Sequence, residues 1–211
     1  MTTTMHLCGG SLLIEDAEAL LGDYINPAYG YAWPAYDTLV TNGGPALVTG
    51  DLLAPTLLEV HMDAARYGAL YNMREILAGV ADLPPRGLAE ASDDDVSAVA
   101  ALFRGLDEHR KNVRGTIVSK VLHRKRPDLV PLYDSHIDHG YRQSGRLPYE
   151  RQGTWVEYMR DIYLLMRDDL QREAAAFETL RTFAASEREA DLTALRILDI
   201  LVWMTVRDHT A

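Results

Sequence analysis

The chain has a single cysteine, Cys8, and no long uninterrupted apolar run. One cysteine excludes an intramolecular disulfide framework, and the chain does not open with a cationic segment followed by an apolar stretch, so the sequence predicts a cytoplasmic protein. The most apolar segment, residues 195–206, is interrupted by Asp199 and falls short of the ~20 apolar residues that a membrane span needs. We therefore expect a buried core helix there and no membrane partner.

Strict alternation of apolar and polar residues is also scarce, whereas apolar residues recur at helical spacing along most of the 211 residues. The sequence thus predicts an all-α fold, in which residues 1–211 form one compact multi-helix domain with room for a division into two lobes. The predicted helices are 11–25 with Ser11 as its cap, 49–80 divided at Gly68, one capped by Ser92, a helical region over 153–183, and 186–209 with a capping box from Ser186 to Glu189.

Positive charge is in the minority, since 31 acidic residues stand against 21 Lys and Arg and the net charge is −10. This balance argues against general binding to a polyanion. Residues 109–126, however, hold seven Lys and Arg and no acid. Helical spacing puts Lys120 and Arg124 on a face away from the apolar positions Ile117 and Val121, which predicts a basic helix face. Such a face either contacts nucleic acid or is simply solvated.

Four possible metal ligands lie within six positions, which suggests a metal site at first sight: Asp134, His136, Asp138 and His139. On a helix, however, His136 and Asp138 point about 200° apart, so at most Asp134 with Asp138, or Asp138 with a distant partner, could converge, and we predict no metal. Asp134 precedes a new helical pattern and is therefore predicted to cap that helix. Two interpretations of Asp134 stay open, a helix cap and the charged residue of an active site.

Residues 113–137, "VRGTIVSKVLHRKRPDLVPLYDSHI", resemble the helix-hairpin-helix DNA glycosylase superfamily. The resemblance rests on Gly115 in the hairpin and on Asp134-Ser135-His136 nineteen residues later. It implies a glycosylase-like core around residues 92–145. It also implies that Asp134 is the catalytic carboxylate, which orients a water or stabilises the positive charge on the sugar as the base leaves.

The same resemblance implies that the backbone N–H groups of Val113 to Thr116 hold a DNA phosphate, with Lys120 and Arg124 adding positive charge. The sequence departs from the family pattern at Val113, where the first hairpin glycine would stand, and at the charged Arg114. Ile117 occupies the position of the nucleophilic lysine of bifunctional members, so a catalytic protein would be monofunctional, without lyase activity. The four cysteines of an iron–sulfur cluster are missing, and we predict no cofactor.

Residues 24–37 hold five aromatic residues and two prolines, which predicts a loop packed by its own rings. Such rings could stack an extruded base, and Trp33 and Tyr36 are the candidates. Asp37 and Asp51 are candidate second carboxylates. The full set of predicted ligand-contacting residues is Arg114, Gly115, Thr116, Lys120, Arg124, His136, Tyr133, Tyr36 and Trp33.

These observations support one leading hypothesis and two alternatives. The leading hypothesis is a divergent glycosylase-like protein that acts on or recognises a nucleobase N-glycoside in DNA. One alternative keeps the helical scaffold but lets it bind or convert a small nucleoside-like or other metabolite, which suits the acidic composition better. The other is a non-catalytic binding protein in which the motif is only a folding element.

Overall fold

The computed structural model of the protein describes residues 2–31, 33–38, 44, 46–108, 112–148 and 151–210, without the side chains of residues 33, 188 and 208–210. Most of this chain is helical, which confirms the predicted class. The α-helices are α1 (Ala17–Ile25), α2 (Trp33–Asp37), α3 (Ala64–Asn72), α4 (Arg74–Leu77), α5 (Asp93–Ala101), α6 (Gly105–Glu108), α7 (Gly115–His123), α8 (Ser135–Gln143), α9 (Trp155–Arg172), α10 (Ala174–Arg188) and α11 (Ala194–Thr210).

Shorter elements join these helices. A two-stranded antiparallel sheet is formed by β1 (Met5–Leu7) and β2 (Leu12–Ile14). Single turns or short runs of 3₁₀ helix occur at Cys8–Gly10, Pro27–Tyr29, Thr49–Leu58, Ala78–Asp82, Leu88–Glu90 and Leu102–Arg104.

The N-terminal hairpin is a correction to the predicted first helix. That helix begins at Ala17, where the carboxylate of Asp16 accepts the Ala19 N–H, and Ser11 does not cap it. The preceding turn at Cys8–Gly10 has positive φ at each of its residues, a conformation that two adjacent glycines permit. The buried carboxylate of Asp169, on α9, accepts the Gly9 N–H at 3.0 Å and so fixes the turn to the helical body.

Two further predicted helix boundaries were wrong and one was right. Gly68 lies within α3, and the break comes at Met73 instead. Ser186 lies within α10, while α11 begins after Thr193, whose hydroxyl accepts the Arg196 N–H at 3.1 Å. Ser92 does cap α5, in a capping box with Asp95. The apolar segment over 195–206 is a buried core helix, as predicted.

Close packing between α8 and α11 positions the residues of the candidate functional site. A Cβ atom at Gly140 would lie 3.0 Å from Cys8 Sγ and 3.1 Å from Val202 Cγ1, so the two helices approach as closely as a glycine allows. The 3₁₀ helix Thr49–Leu58 packs against α7. Within the described ranges, no helix is both long enough and apolar enough to cross a membrane.

Candidate functional site

A cavity lies where α1, α7, α8, α11 and the end of the 3₁₀ helix Thr49–Leu58 meet. Its volume is about 90 Å³, several times the ~10–15 Å³ that one buried water needs on the same scale. Polar and apolar groups share its wall, as is usual for sites that bind small molecules. The lining residues are Tyr24, Tyr31, Leu57, Leu58, Glu59, Lys120, Leu132, Asp134, Arg196, Asp199, Ile200 and Trp203.

Asp134 caps α8, as predicted, and also lines the cavity. Its Oδ1 atom accepts the backbone N–H groups of His136 at 2.9 Å and Ile137 at 3.1 Å. Within the part of the chain that the structure describes, its Oδ2 atom accepts no hydrogen bond. The two interpretations of Asp134 are therefore compatible, because one oxygen caps the helix and the other remains for a ligand.

Lys120 is buried, with 7% of its surface exposed, and its ammonium lies at the cavity wall. Nζ donates to the backbone carbonyl of Leu58 at 3.0 Å. Burial lowers the pKa of Lys120, while the negative charge of Asp134 opposes that shift. The prediction that Lys120 belongs to an exposed basic face was wrong, because the 3₁₀ helix covers this side of α7.

Asp199 brings a second carboxyl group to the cavity and is tied to Arg196. Nη1 of Arg196 donates to Oδ2 of Asp199, and Nε donates to Oδ1 of Asp37 at 3.0 Å. Burial raises the pKa of Asp199 to about 6, and the charge of Asp134 adds to this rise while Arg196 opposes it. The site therefore contains a carboxyl group that can hold a proton near neutral pH.

Aromatic rings form one wall of the cavity. The rings of Tyr24 and Tyr31 stack with centroids 4.9 Å apart, and Trp203 meets Tyr31 edge-on at 6.0 Å. His136, which was predicted to contact the ligand, packs its ring edge-on against Trp203 at 5.8 Å and so stands behind this wall. Flat apolar surface of this kind suits a planar ligand group.

Tyr36, one of the two aromatic residues singled out from the sequence, does not lie on this wall. Tyr36 is fully buried, and its hydroxyl donates to the backbone carbonyl of Lys120 at 2.7 Å. It therefore supports α7 from behind and does not line the cavity. The side chain of Trp33 lies outside the described residues.

A second concavity, an open groove of about 760 Å³, holds the other residues predicted from the hairpin. Arg114, Thr116 and Tyr133 line it together with Arg151 and Trp155. Gly115 lies beneath this groove, since a Cβ at that position would come within 2.6 Å of the Trp155 ring and 3.0 Å of the Tyr133 ring. The structure thus groups Asp134 with Lys120 in the cavity and separates both from the hairpin residues.

The basic segment directs most of its described cations inward. Arg124 donates to the backbone carbonyl of Asp37 at 3.3 Å. Lys125 pairs with Asp51 at 2.8 Å, with side chains only 3% and 1% exposed, and Arg126 donates to the carbonyl of Leu83 at 3.0 Å. Arg110 and Lys111 lie outside the described residues. In the described part of the segment, Arg114 is the exposed cation, so the predicted basic helix face is not present on α7.

Several residues of the cavity were missed from the sequence, and two of them had left a signal. Asp199 and Arg196 interrupt the most apolar segment three residues apart, which places both on one side of a core helix. Buried ionisable groups are rare unless they are paired or functional. Asp37, a candidate second carboxylate, instead neutralises Arg196, and Asp51 pairs with Lys125. Across the described ranges, no group of three or more His, Cys, Asp or Glu could hold a metal ion.

The comparisons with known proteins give a family and no activity. A family model described as "Family of unknown function (DUF6308)" matches residues 17–206, which is most of the chain and includes every residue that lines the cavity. No curated protein and no solved structure matches. Any function must therefore be argued from the chemistry of the cavity.

Proposed function

Since the chain belongs to the DUF6308 family, whose function is unknown, we propose a function from its cavity: hydrolysis of the N-glycosidic bond of a small nucleoside-like molecule. The observation that carries this proposal is the divided use of Asp134. One oxygen of its carboxylate caps α8, while the other is left for a ligand in a cavity that also holds Lys120 and Asp199.

The reaction needs a negative charge close to the sugar. As the bond between sugar and base breaks, positive charge develops on the sugar, and a fixed carboxylate beside it lowers the barrier. In our proposal Asp134 supplies this charge and accepts a proton from the attacking water. The resemblance of residues 113–137 to helix-hairpin-helix DNA glycosylases points to the same residue and supports the same class of reaction.

The charges around the cavity favour a ligand without a phosphate group. Arg196 is engaged by Asp37 and Asp199, and Lys120 faces Asp134. Glu59 adds a further negative charge at the rim. A phosphate would meet more negative than positive charge here, whereas an uncharged nucleoside would be tolerated. Its base would stack on the aromatic wall. We propose the cytoplasm as the location of this activity, in line with the single cysteine.

The test is release of free base from a panel of ribonucleosides and deoxyribonucleosides, followed by chromatography. Asp134→Asn retains a capping side chain but loses the charge, so we expect its rate to fall about 100-fold or more. The matched control is Asp63→Asn, which makes the same change at the N-cap of α3. Equal rates for the wild type and Asp134→Asn would contradict the role of Asp134, and ligand binding without base release would favour the non-catalytic alternative.

Action on DNA is a second candidate, and the open groove favours it. The groove runs beside Val113 to Thr116 and carries the exposed side chains of Arg114 and Arg151. If DNA binds there, Arg114→Ala should weaken the affinity for duplex DNA and reduce its salt dependence. Arg86→Ala, a change of an exposed arginine that does not line the groove, is the control. Equal affinities for these two variants would count against the groove as a DNA site.

A further inference from the structure

Asp199 differs from Asp134 in how its carboxyl group is held. Its side chain is only 8% exposed, and Oδ2 accepts the guanidinium of Arg196. Oδ1 accepts no hydrogen bond from any residue that the structure describes, although Asp199 lines the cavity. A proton on Oδ1 would therefore displace no hydrogen bond from these residues, and the carboxyl group lies where a ligand can meet it.

We propose that Asp199 is the general acid that protonates the departing base, an inference that rests on the proposed hydrolysis. The C1′–N bond breaks and its electron pair moves to the base, which takes the proton from Asp199. Water then adds to C1′ and gives one proton to Asp134. The products are the free sugar and the neutral base. Solvent afterwards reprotonates Asp199 and removes the proton from Asp134, which restores the site.

The surroundings of Asp199 suit this role. Burial and the charge of Asp134, on α8, favour the protonated carboxyl, while Arg196 on α11 and Lys120 on α7 favour the ionised one. Asp37, on α2, shares Arg196 through a bond of 3.0 Å and so weakens the hold of the guanidinium on Asp199. Two carboxyl groups in one cavity then differ in role, since the buried one carries the proton and the capping one carries the charge.

A general acid at Asp199 also narrows the class of substrate. A general acid accelerates only the departure of a group that needs a proton, such as an uncharged purine or pyrimidine. A leaving group that is already stable as an anion gains nothing from it. The substrates are therefore nucleosides with uncharged bases, and a synthetic riboside with a p-nitrophenolate leaving group should bypass Asp199.

The experiment compares these two leaving groups in the wild type and in Asp199→Asn. We expect the variant to lose about 10²- to 10⁴-fold in rate on the nucleoside, the usual contribution of a general acid, and to hydrolyse p-nitrophenyl riboside within about fivefold of the wild type. Equal losses on both substrates would overturn the inference while leaving the hydrolase intact. A wild type inactive on both would contradict the proposed function itself.

Two further measurements cover the case in which Asp199→Asn does not fold. The carboxyl carbon of Asp199 can be followed by NMR in the wild type, and we expect its titration near pH 6; a midpoint below about pH 4.5, close to an ordinary Asp, would overturn the inference. Asp37→Asn keeps Asp199 but removes the competitor for Arg196. It should move the alkaline limb of nucleoside hydrolysis to lower pH, and an unmoved limb would count against Asp199.

Discussion

The hydroxyl of Tyr36 donates a hydrogen bond of 2.7 Å to the backbone carbonyl of Lys120. This bond joins α2 to the helix whose lysine faces the cavity, and both partners are buried. Tyr36, which the sequence suggested for base stacking, instead helps to place a charged group. Its hydrogen bond helps to hold α7 in position.

Tyr36→Phe removes only the hydroxyl and leaves a buried carbonyl without this donor. We expect the free energy of unfolding to fall by about 1–2 kcal/mol, the usual cost of a lost buried hydrogen bond. Chemical denaturation measures this change. Tyr29→Phe is the control, because Tyr29 is 59% exposed, and the same deletion there should cost less than about 0.5 kcal/mol.

Gly115→Ala tests whether the hairpin glycine is required for packing. The added methyl group would lie 2.6 Å from the Trp155 ring, so the ring or α7 must shift, at a cost of about 1–3 kcal/mol. Gly68→Ala is the matched control, since a Cβ there meets nothing within 4 Å and position 68 of α3 is half-exposed. That variant should be as stable as the wild type or more so, by up to about 1 kcal/mol. Equal stabilities of the two variants would show that the packing at Gly115 yields easily.

Lys125→Met tests the inward-facing cations. It leaves Asp51 as a buried carboxylate without its ammonium partner, and we expect a loss of about 3–5 kcal/mol in the free energy of unfolding. Arg86→Met breaks an exposed pair with Asp95, in which the arginine side chain is 51% exposed, and should cost no more than about 1 kcal/mol. Thermal and urea unfolding of both variants decide the comparison.

His123 should make the protein sensitive to acid. Its Nδ1 lies 2.7 Å from the carbonyl oxygen of Val130, and burial lowers the pKa of His123 to about 3. In the unfolded chain, His123 binds a proton at its ordinary pKa of about 6.5, whereas in the native state it stays neutral down to about pH 3. Stability therefore falls as the pH drops from about 6.5 towards 3. The slope from this residue is at most about 1.4 kcal/mol per pH unit.

His123→Asn separates this contribution from that of other groups. The difference in unfolding free energy between the variant and the wild type should move in favour of the variant as the pH falls from 6.5. Asp199 acts in the opposite sense between pH 4 and 6, because its raised pKa makes the native state bind the proton more tightly than the unfolded chain does. A pH-independent difference between the two proteins would mean that His123 is not held neutral.

Local signals in the sequence predicted two of the four expected helix caps correctly. Asp134 and Ser92 are caps because short polar side chains before a helical pattern satisfy N–H groups within three residues, and this depends only on neighbours in sequence. Ser11 and Ser186 met the same description but lie in a turn and inside a helix. Ser11 lies in the turn of the hairpin in which Leu12–Ile14 pairs with Met5–Leu7, and Ser186 precedes the end of α10 at Arg188.

The cavity was harder to predict, since distant parts of the chain build it. Periodicity correctly separated Lys120 from the apolar positions of α7, but it could not reveal that Leu58, sixty-two residues earlier, covers that side. Asp199 was visible only as an interruption of an apolar run. Its partners Asp37 and Asp134 come from other helices, and no local pattern links the three.

The packing at Gly140 has a consequence for redesign of the ligand specificity. Because α8 and α11 pack closely there, a larger residue at position 140 would push apart the helices that carry Asp134 and Asp199 and change the spacing of their carboxyl groups. Leu57 and Leu58 line the cavity from a separate element, the end of the 3₁₀ helix Thr49–Leu58. Shortening Leu57 should therefore enlarge the space for a ligand while the two acidic groups keep their separation.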